Sequence, residues 1–175
     1  MGSTAVQLAR VKGAAHIVGA AGGADKCAWL KDIGCSATID YRAQTNVSTA
    51  LKAAAPDGID VYFDNVGGEF FAAALDNARE HARFAECGMI GGYNSGDTSA
   101  PAQMFHIITK RLRVQGFGGP DIMHRMDDYH REMIPLVASG AIQSRETVLD
   151  GLDATPKAFL GLFSGANMGK MLVRL

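Results

Sequence analysis

The sequence predicts an α/β fold, a Rossmann-type doubly wound parallel sheet. Short continuous apolar runs alternate with segments of helical period, the connections between them are short, and three of the apolar runs end in glycine. Such a pattern implies right-handed crossovers, helices on both faces of the sheet, and a ligand at the carboxyl ends of the strands.

Each element follows from its residues. STAVQLARVKG (3–13) puts Ala5, Leu8 and Ala9 on one helical face and stops at Gly13, and AHIVGA (15–20) is the kind of apolar run that forms a strand buried on both faces. DKCAWLKDIGC is a second helix ending at Gly34, and SATIDY (36–41) a second strand. VSTALKAAA is a helix stopped by Pro56-Asp57-Gly58, IDVYFDNVGG (59–68) a strand with a glycine-rich end, EFFAAALDNA a helix, and ARFAECGMIGG (82–92) a strand that again runs into glycines. The remainder reads as a helix around MFHIITKRL, a strand at RVQGF, a longer helix across RMDDYHREMIPLVASG, the segment SRETVLDG, a short helix TPKAFLGLFSG and a last strand KMLVRL. YNSGDTSAPAQ (93–103) is the expected mobile loop.

Bulk composition excludes several classes. With 175 residues, 47% hydrophobic and 20% charged, the chain can fill a full core. A net charge of −1 gives no basic field for nucleic acid, and no apolar stretch has the length of a membrane span. Cys27, Cys35 and Cys87 have neither the spacing of a zinc ribbon nor an even count, which fits a reducing compartment; with no leader-like start, the cytoplasm is the expected location.

The stretch AGGADK, residues 21–26, carries the first chemical signal. A strand running into Gly22 and Gly23 and then a helix offers free N–H groups and a positive helix end to a phosphate. Lys26 falls in the first turn of that helix, where a cation costs roughly 0.3–1 kcal/mol unless an anion offsets it. The acid that holds the ribose 2′-hydroxyl of NAD is absent from VGAAGG, and Asp25 is displaced into the helix. Two readings stay open on the residues alone: Lys26 faces the 2′-phosphate of NADP, or it is a solvated surface lysine.

The chain starts inside what reads as a glycine turn, with no strand before it. In the order 3-2-1-4-5-6 the first strand is central, and removing it leaves its neighbours roughly 9.6 Å apart with two unpaired edges.

GSTAVQLARVKGA, GAAGGADKCAWL, ATIDY, GIDVYFDNVGG, CGMIGGYN, KRLRVQGF and ANMGKMLVRL together resemble the zinc-independent, NADP-dependent alkenal and prostaglandin reductase branch of the medium-chain dehydrogenase/reductase superfamily. The resemblance covers essentially the whole chain. It implies that about the first 140 residues of a typical member are missing, namely the GroES-like domain, the first Rossmann strand and most of the glycine turn. Residues 1–140 then form an incomplete NADP-binding Rossmann domain, and 141–175 a segment returning toward the absent domain.

By the same resemblance, NADP(H) contacts fall on Gly2 in the glycine turn, on Gly22, on Lys26 and Tyr41 around the 2′-phosphate, and on Asn65 in FDNVGG. Cys87, Gly88, Met89, Ile90, Gly91, Gly92 and Tyr93 would run beneath the nicotinamide, Phe117, Gly118 and Gly119 would flank it, and Asn167 would reach it from the C-terminal segment. Val6 stands where the family has glycine, and Gly91 where it has serine. The implied reaction is reduction of the C=C bond of an α,β-unsaturated aldehyde or ketone, with Tyr93 donating to the carbonyl oxygen or delivering the proton. A quinone oxidoreductase of the same superfamily, or an inactive NADP-binding or oligomerisation module, are the competing readings. A homodimer paired through the RVQGF strand is implied for a full-length member. His81, His106, Cys87 and the Asp121, His124, Asp128 group read as structural or solvated residues, KRLR at 110–113 as a solvated helix end, and no metal site is expected.

Overall fold

The computed structural model describes residues 1–92 and 101–175. Helix α1 (Gly2–Val11) leads into strand β1 (Val18–Ala21), which pairs in parallel with β2 (Ala37–Asp40) from Val18–Ala37 through Ala21–Asp40. Helix α2 (Ala24–Asp32) crosses between them. It packs closely because Gly19 has no side chain: a Cβ there would lie 2.8 Å from Cys35 Sγ and 2.9 Å from Leu30 Cδ1.

Helix α3 (Val47–Ala54) starts where Asn46 accepts a hydrogen bond from the Thr49 amide at 2.8 Å, a cap that satisfies one of the free N–H groups of the first turn. Strand β3 (Ile59–Asp64), helix α4 (Gly68–Asn77), strand β4 (Ala78–Glu86), helix α5 (Phe105–Thr109) and strand β5 (Arg113–Gly116) follow. β4 is central in this parallel group, between β3 and β5. Beyond it lie a short α6 (Gly119–Ile122), α7 (Met126–Ala138), and β6 (Glu146–Asp150) and β7 (Lys170–Arg174), which pair in parallel with α8 (Thr155–Ser164) as their crossover.

Two apolar clusters hold these layers. Leu75, Ala74 and Phe84 are all but inaccessible and gather Ile39, Val47 and Leu51 around them; Val6, Ile17, Leu30, Ile33 and Cys35 form the second cluster under α1 and α2. Each large side chain buried in this way contributes about 1.5–3 kcal/mol. The C-terminal segment is tied in by Gln7 of α1, which is 1% exposed: its Nε2 donates to Gln143 O at 3.0 Å and its Oε1 accepts from Gln143 N at 2.7 Å.

Among the described residues the strands form three parallel groups, β1-β2, β3-β4-β5 and β6-β7, with no backbone bonding between β1 and β3. The first two groups meet through side chains, since Ile39 of β2 belongs to the same cluster as Phe84 of β4. Among the described residues one face of β3 is left open: Val61 and Phe63 are 58% and 36% exposed.

Boundaries also shift. The strand expected at 82–92 runs from Ala78 to Glu86, with His81 at φ 64° marking a register shift opposite Ile59 and Val61. Ile90–Gly92 is a short 3₁₀ turn instead of strand, because the Ile90 and Gly91 amides donate to Asn65 O and Val66 O, folding the chain back over the end of β3. Helix α6 was not anticipated.

Candidate functional site

Two groups of sequence-predicted residues come together at the carboxyl ends of the strands. The first is a shallow hollow at the mouth of α2, lined by Gly22, Gly23, Asp25, Lys26, Arg42, Asn167 and their neighbours. Asp40, at the end of β2, shapes it: its Oδ1 accepts from Gly23 N at 2.8 Å and from Arg42 N at 3.0 Å, locking the two strand-end turns together. Gly22 is required by close approach, since a Cβ there would lie 2.8 Å from both the Tyr41 hydroxyl and Arg42 Nε.

The cations of this hollow have backbone partners. Lys26 Nζ donates to Gly165 O at 2.6 Å, and Arg42 donates to Ser164 O at 2.9 Å, so both reach the C-terminal end of α8, where the helix dipole is negative. Among the described residues neither has a carboxylate within ion-pair distance. Burial lowers the Lys26 ammonium below the ordinary lysine value, and the like charge of Arg42 lowers it further. Two cations crowded together on carbonyl dipoles make a place where an anion is favoured.

The second group lies at the ends of β3 and β4. Asp64, 2% exposed, accepts from Val66 N at 2.7 Å and Gly67 N at 3.0 Å, and so shapes the Asn65–Gly67 turn that opens α4. The Cys87 amide donates to Asp64 O at 2.8 Å, and the following residues fold over that turn. Gly91 sits so close that a Cβ would meet Val66 O at 2.9 Å. A serine at this position therefore requires the backbone to shift. Phe117 N donates to Glu86 O at 3.2 Å, which brings Phe117, Gly118 and Gly119 to the same edge, and Met1 Sδ lies 3.8 Å from Cys87 Sγ, so the Gly2 end of α1 adjoins it.

Lys26, Tyr41, Gly22 and Asn167 thus share one neighbourhood, and Gly2, Asn65, Cys87–Gly92 and Phe117–Gly119 another. Asn167, expected at the nicotinamide, instead lines the hollow with Lys26, because the turn after α8 carries it there; its amide donates to Gly169 O at 2.7 Å. Tyr93 lies outside the described residues. His106 Nε2 is 3.3 Å from Asp76 Oδ1 and His81 faces Arg111, so both have structural partners. No three His, Cys, Asp or Glu side chains gather to hold a metal among the described residues. Sequence reasoning missed Arg42, Asp40, Asp64 and Glu86. Arg42 was within reach, since it follows Tyr41 at a strand end, whereas its partner Ser164 is brought in only by the fold.

Residues 1–139 match the family described as zinc-binding dehydrogenase, and the chain belongs to the medium-chain dehydrogenase/reductase superfamily, in its alkenal and prostaglandin reductase branch. It is 40% identical to the 2-alkenal reductase (NADP(+)-dependent) of Nicotiana tabacum over 99% of this chain and 50% of that protein, and 37% identical to the NADPH-dependent curcumin reductase of Escherichia coli (strain K12) over 100% and 52%. The crystal structure of CurA from Vibrio vulnificus in complex with NADPH superposes with a TM-score of 0.90 at 36% identity, covering 99% of this chain and 53% of that one. The chain spans about half the length of these relatives. No helix among the described residues is long and apolar enough to cross a membrane.

Proposed function

We propose that this chain is the cofactor-holding part of an NADPH-dependent oxidoreductase that reduces the C=C bond of small α,β-unsaturated aldehydes or ketones. The observation that carries this reading is the pairing of Lys26 and Arg42 over one hollow with backbone carbonyls as their partners. The names of the relatives, a 2-alkenal reductase and a curcumin reductase, support the substrate class.

In this reading Lys26 and Arg42 bind the 2′-phosphate, and Tyr41 closes over Gly22 beside it. The Gly2 turn and Asn65 hold the rest of the cofactor, Cys87–Gly92 runs beneath the nicotinamide, and Phe117–Gly119 flanks it. Asn167 joins from the C-terminal segment. Held there, NADPH would supply a hydride to the substrate β-carbon. Tyr93 donates to the carbonyl oxygen as charge develops there or delivers the proton to the enolate. Fixing the two reactants in reach of each other removes part of the entropic barrier.

The unbonded edges of β1 and β3, together with the half-length match, support a further strand between them in the complete protein. The same reading takes the complete protein as a cytoplasmic homodimer paired through the free edge of β5.

The test is turnover of a 2-alkenal by the complete enzyme with NADPH or NADH, with a quinone as the competing acceptor. Preference for NADPH and the alkenal is expected, and Tyr93→Phe lowers kcat while leaving NADPH affinity in place. Equal use of both cofactors, or a preference for the quinone, contradicts the proposal.

A further inference from the structure

Glu86 is a half-buried ionisable group, its Oε1 out of reach of solvent, that the proposed reaction does not use. It pairs with Asp64 across β3 and β4, so both side chains leave the sheet on the same face. Gly116 stands opposite Glu86 on β5 and adds no side chain there. Asp64 Oδ1 is committed to the amides of Val66 and Gly67, while Asp64 Oδ2 and Glu86 Oε1 are buried with no donor. An orphaned pair of facing carboxyl oxygens is costly as two anions and satisfied by a single hydrogen between them.

Among the described residues the ionisable groups acting on Glu86 are Asp64 and, on the same face, Tyr62. Tyr62 remains a phenol: burial raises it well above its ordinary value and Asp64 raises it further. Burial and then the charge of Asp64 push the Glu86 carboxyl up to about 7.

We propose that Asp64 and Glu86 share one proton at neutral pH, with Glu86 carrying it, and that its loss loosens the two turns at the cofactor edge and weakens cofactor binding. The path is short. Asp64 Oδ1 holds the Val66–Gly67 turn, Asp64 O holds the Cys87 amide, and Ile90 and Gly91 hang on Asn65 and Val66. A second negative charge repels the Asp64 carboxylate, whose Oδ1 holds the turn on which the other contacts hang. Glu86 is therefore a positioning residue, and the cofactor part of this inference rests on the function proposed above.

Infrared spectroscopy of the protein without cofactor tests the proton. The carbonyl band of a buried protonated carboxyl titrates with a midpoint near neutrality, disappears in Glu86→Gln, and moves to lower pH in Asp64→Asn, where the like charge is gone. Absence of a band titrating above about pH 6 overturns the shared proton. NADPH titration calorimetry tests the coupling. Between about pH 6 and about pH 9 the dissociation constant rises about tenfold more in the unaltered protein than in Glu86→Gln, as one pKa unit between free and bound protein requires. The same pH profile in both proteins overturns the coupling. Failure to bind NADPH at any pH overturns the functional reading and the coupling together, while the infrared band still decides the proton.

Discussion

Lys26 Nζ lies 2.6 Å from the carbonyl oxygen of Gly165, which ties the first turn of α2 to the last turn of α8, 139 residues away in sequence. A cation at the positive end of one helix is thereby placed on the negative end of another. The contact offsets part of the misplacement, but the guanidinium of Arg42 leaves the pair with an excess of positive charge.

Arg42→Gln removes a like charge beside Lys26, so the Lys26 ammonium, lowered in this protein, moves back toward the ordinary lysine value. Nitrogen-detected NMR of the Lys26 ammonium across alkaline pH reads the shift. A titration unchanged by the substitution would show that the two side chains do not sense each other.

Close packing under β1 makes a second prediction. Gly19→Ala brings a methyl group to 2.8 Å from Cys35 Sγ and 2.9 Å from Leu30 Cδ1, and overpacking of this kind costs about 1–3 kcal/mol. Denaturant unfolding measures the loss, and an unchanged midpoint would show that α2 can move away freely.

Asn46→Ala removes the acceptor at the start of α3, leaving the Thr49 amide without its side-chain partner, at a cost of about 1 kcal/mol. The variant should melt lower, while Asn46→Asp, which keeps an acceptor and suits the helix dipole, should hold its melting temperature.

Stability also depends on pH through Glu86. Its carboxyl titrates near 7 in the folded chain against an ordinary value of 4.5, so between these limits the native state binds a proton that the unfolded state has released. The contribution is fully present below the ordinary value and is lost as pH rises through about 7. Glu86→Gln flattens the decline across that window, and urea midpoints at several pH values compare the two proteins. An identical slope in both would place the buried proton elsewhere.

Much of this architecture is written locally. The strand and helix order follows from apolar runs and from glycine and proline punctuation, as in VSTALKAAA stopped at Pro56-Asp57-Gly58. What local pattern does not contain is contact across distance. The turn at Ile90–Gly92 looks like strand because its residues are apolar or small, and hydrogen bonds to the distant Asn65 and Val66 help to fold it. Lys26 is visible as an anomaly at a helix start, yet its meeting with Gly165 and with Arg42 depends on how α8 docks. Asp64 and Glu86 sit in unrelated motifs and become a pair only through sheet register.

The central claim is that Lys26 and Arg42 hold a phosphate that NADP has and NAD lacks. Calorimetric titration with NADPH and NADH, repeated on Lys26→Ala and Arg42→Ala, measures it directly. The account predicts tighter binding of NADPH by at least about tenfold, the worth of about 1.4 kcal/mol of charge-assisted bonding, with most of that margin gone in either variant. Equal affinities in the unaltered protein, or a margin that survives both substitutions, would contradict it.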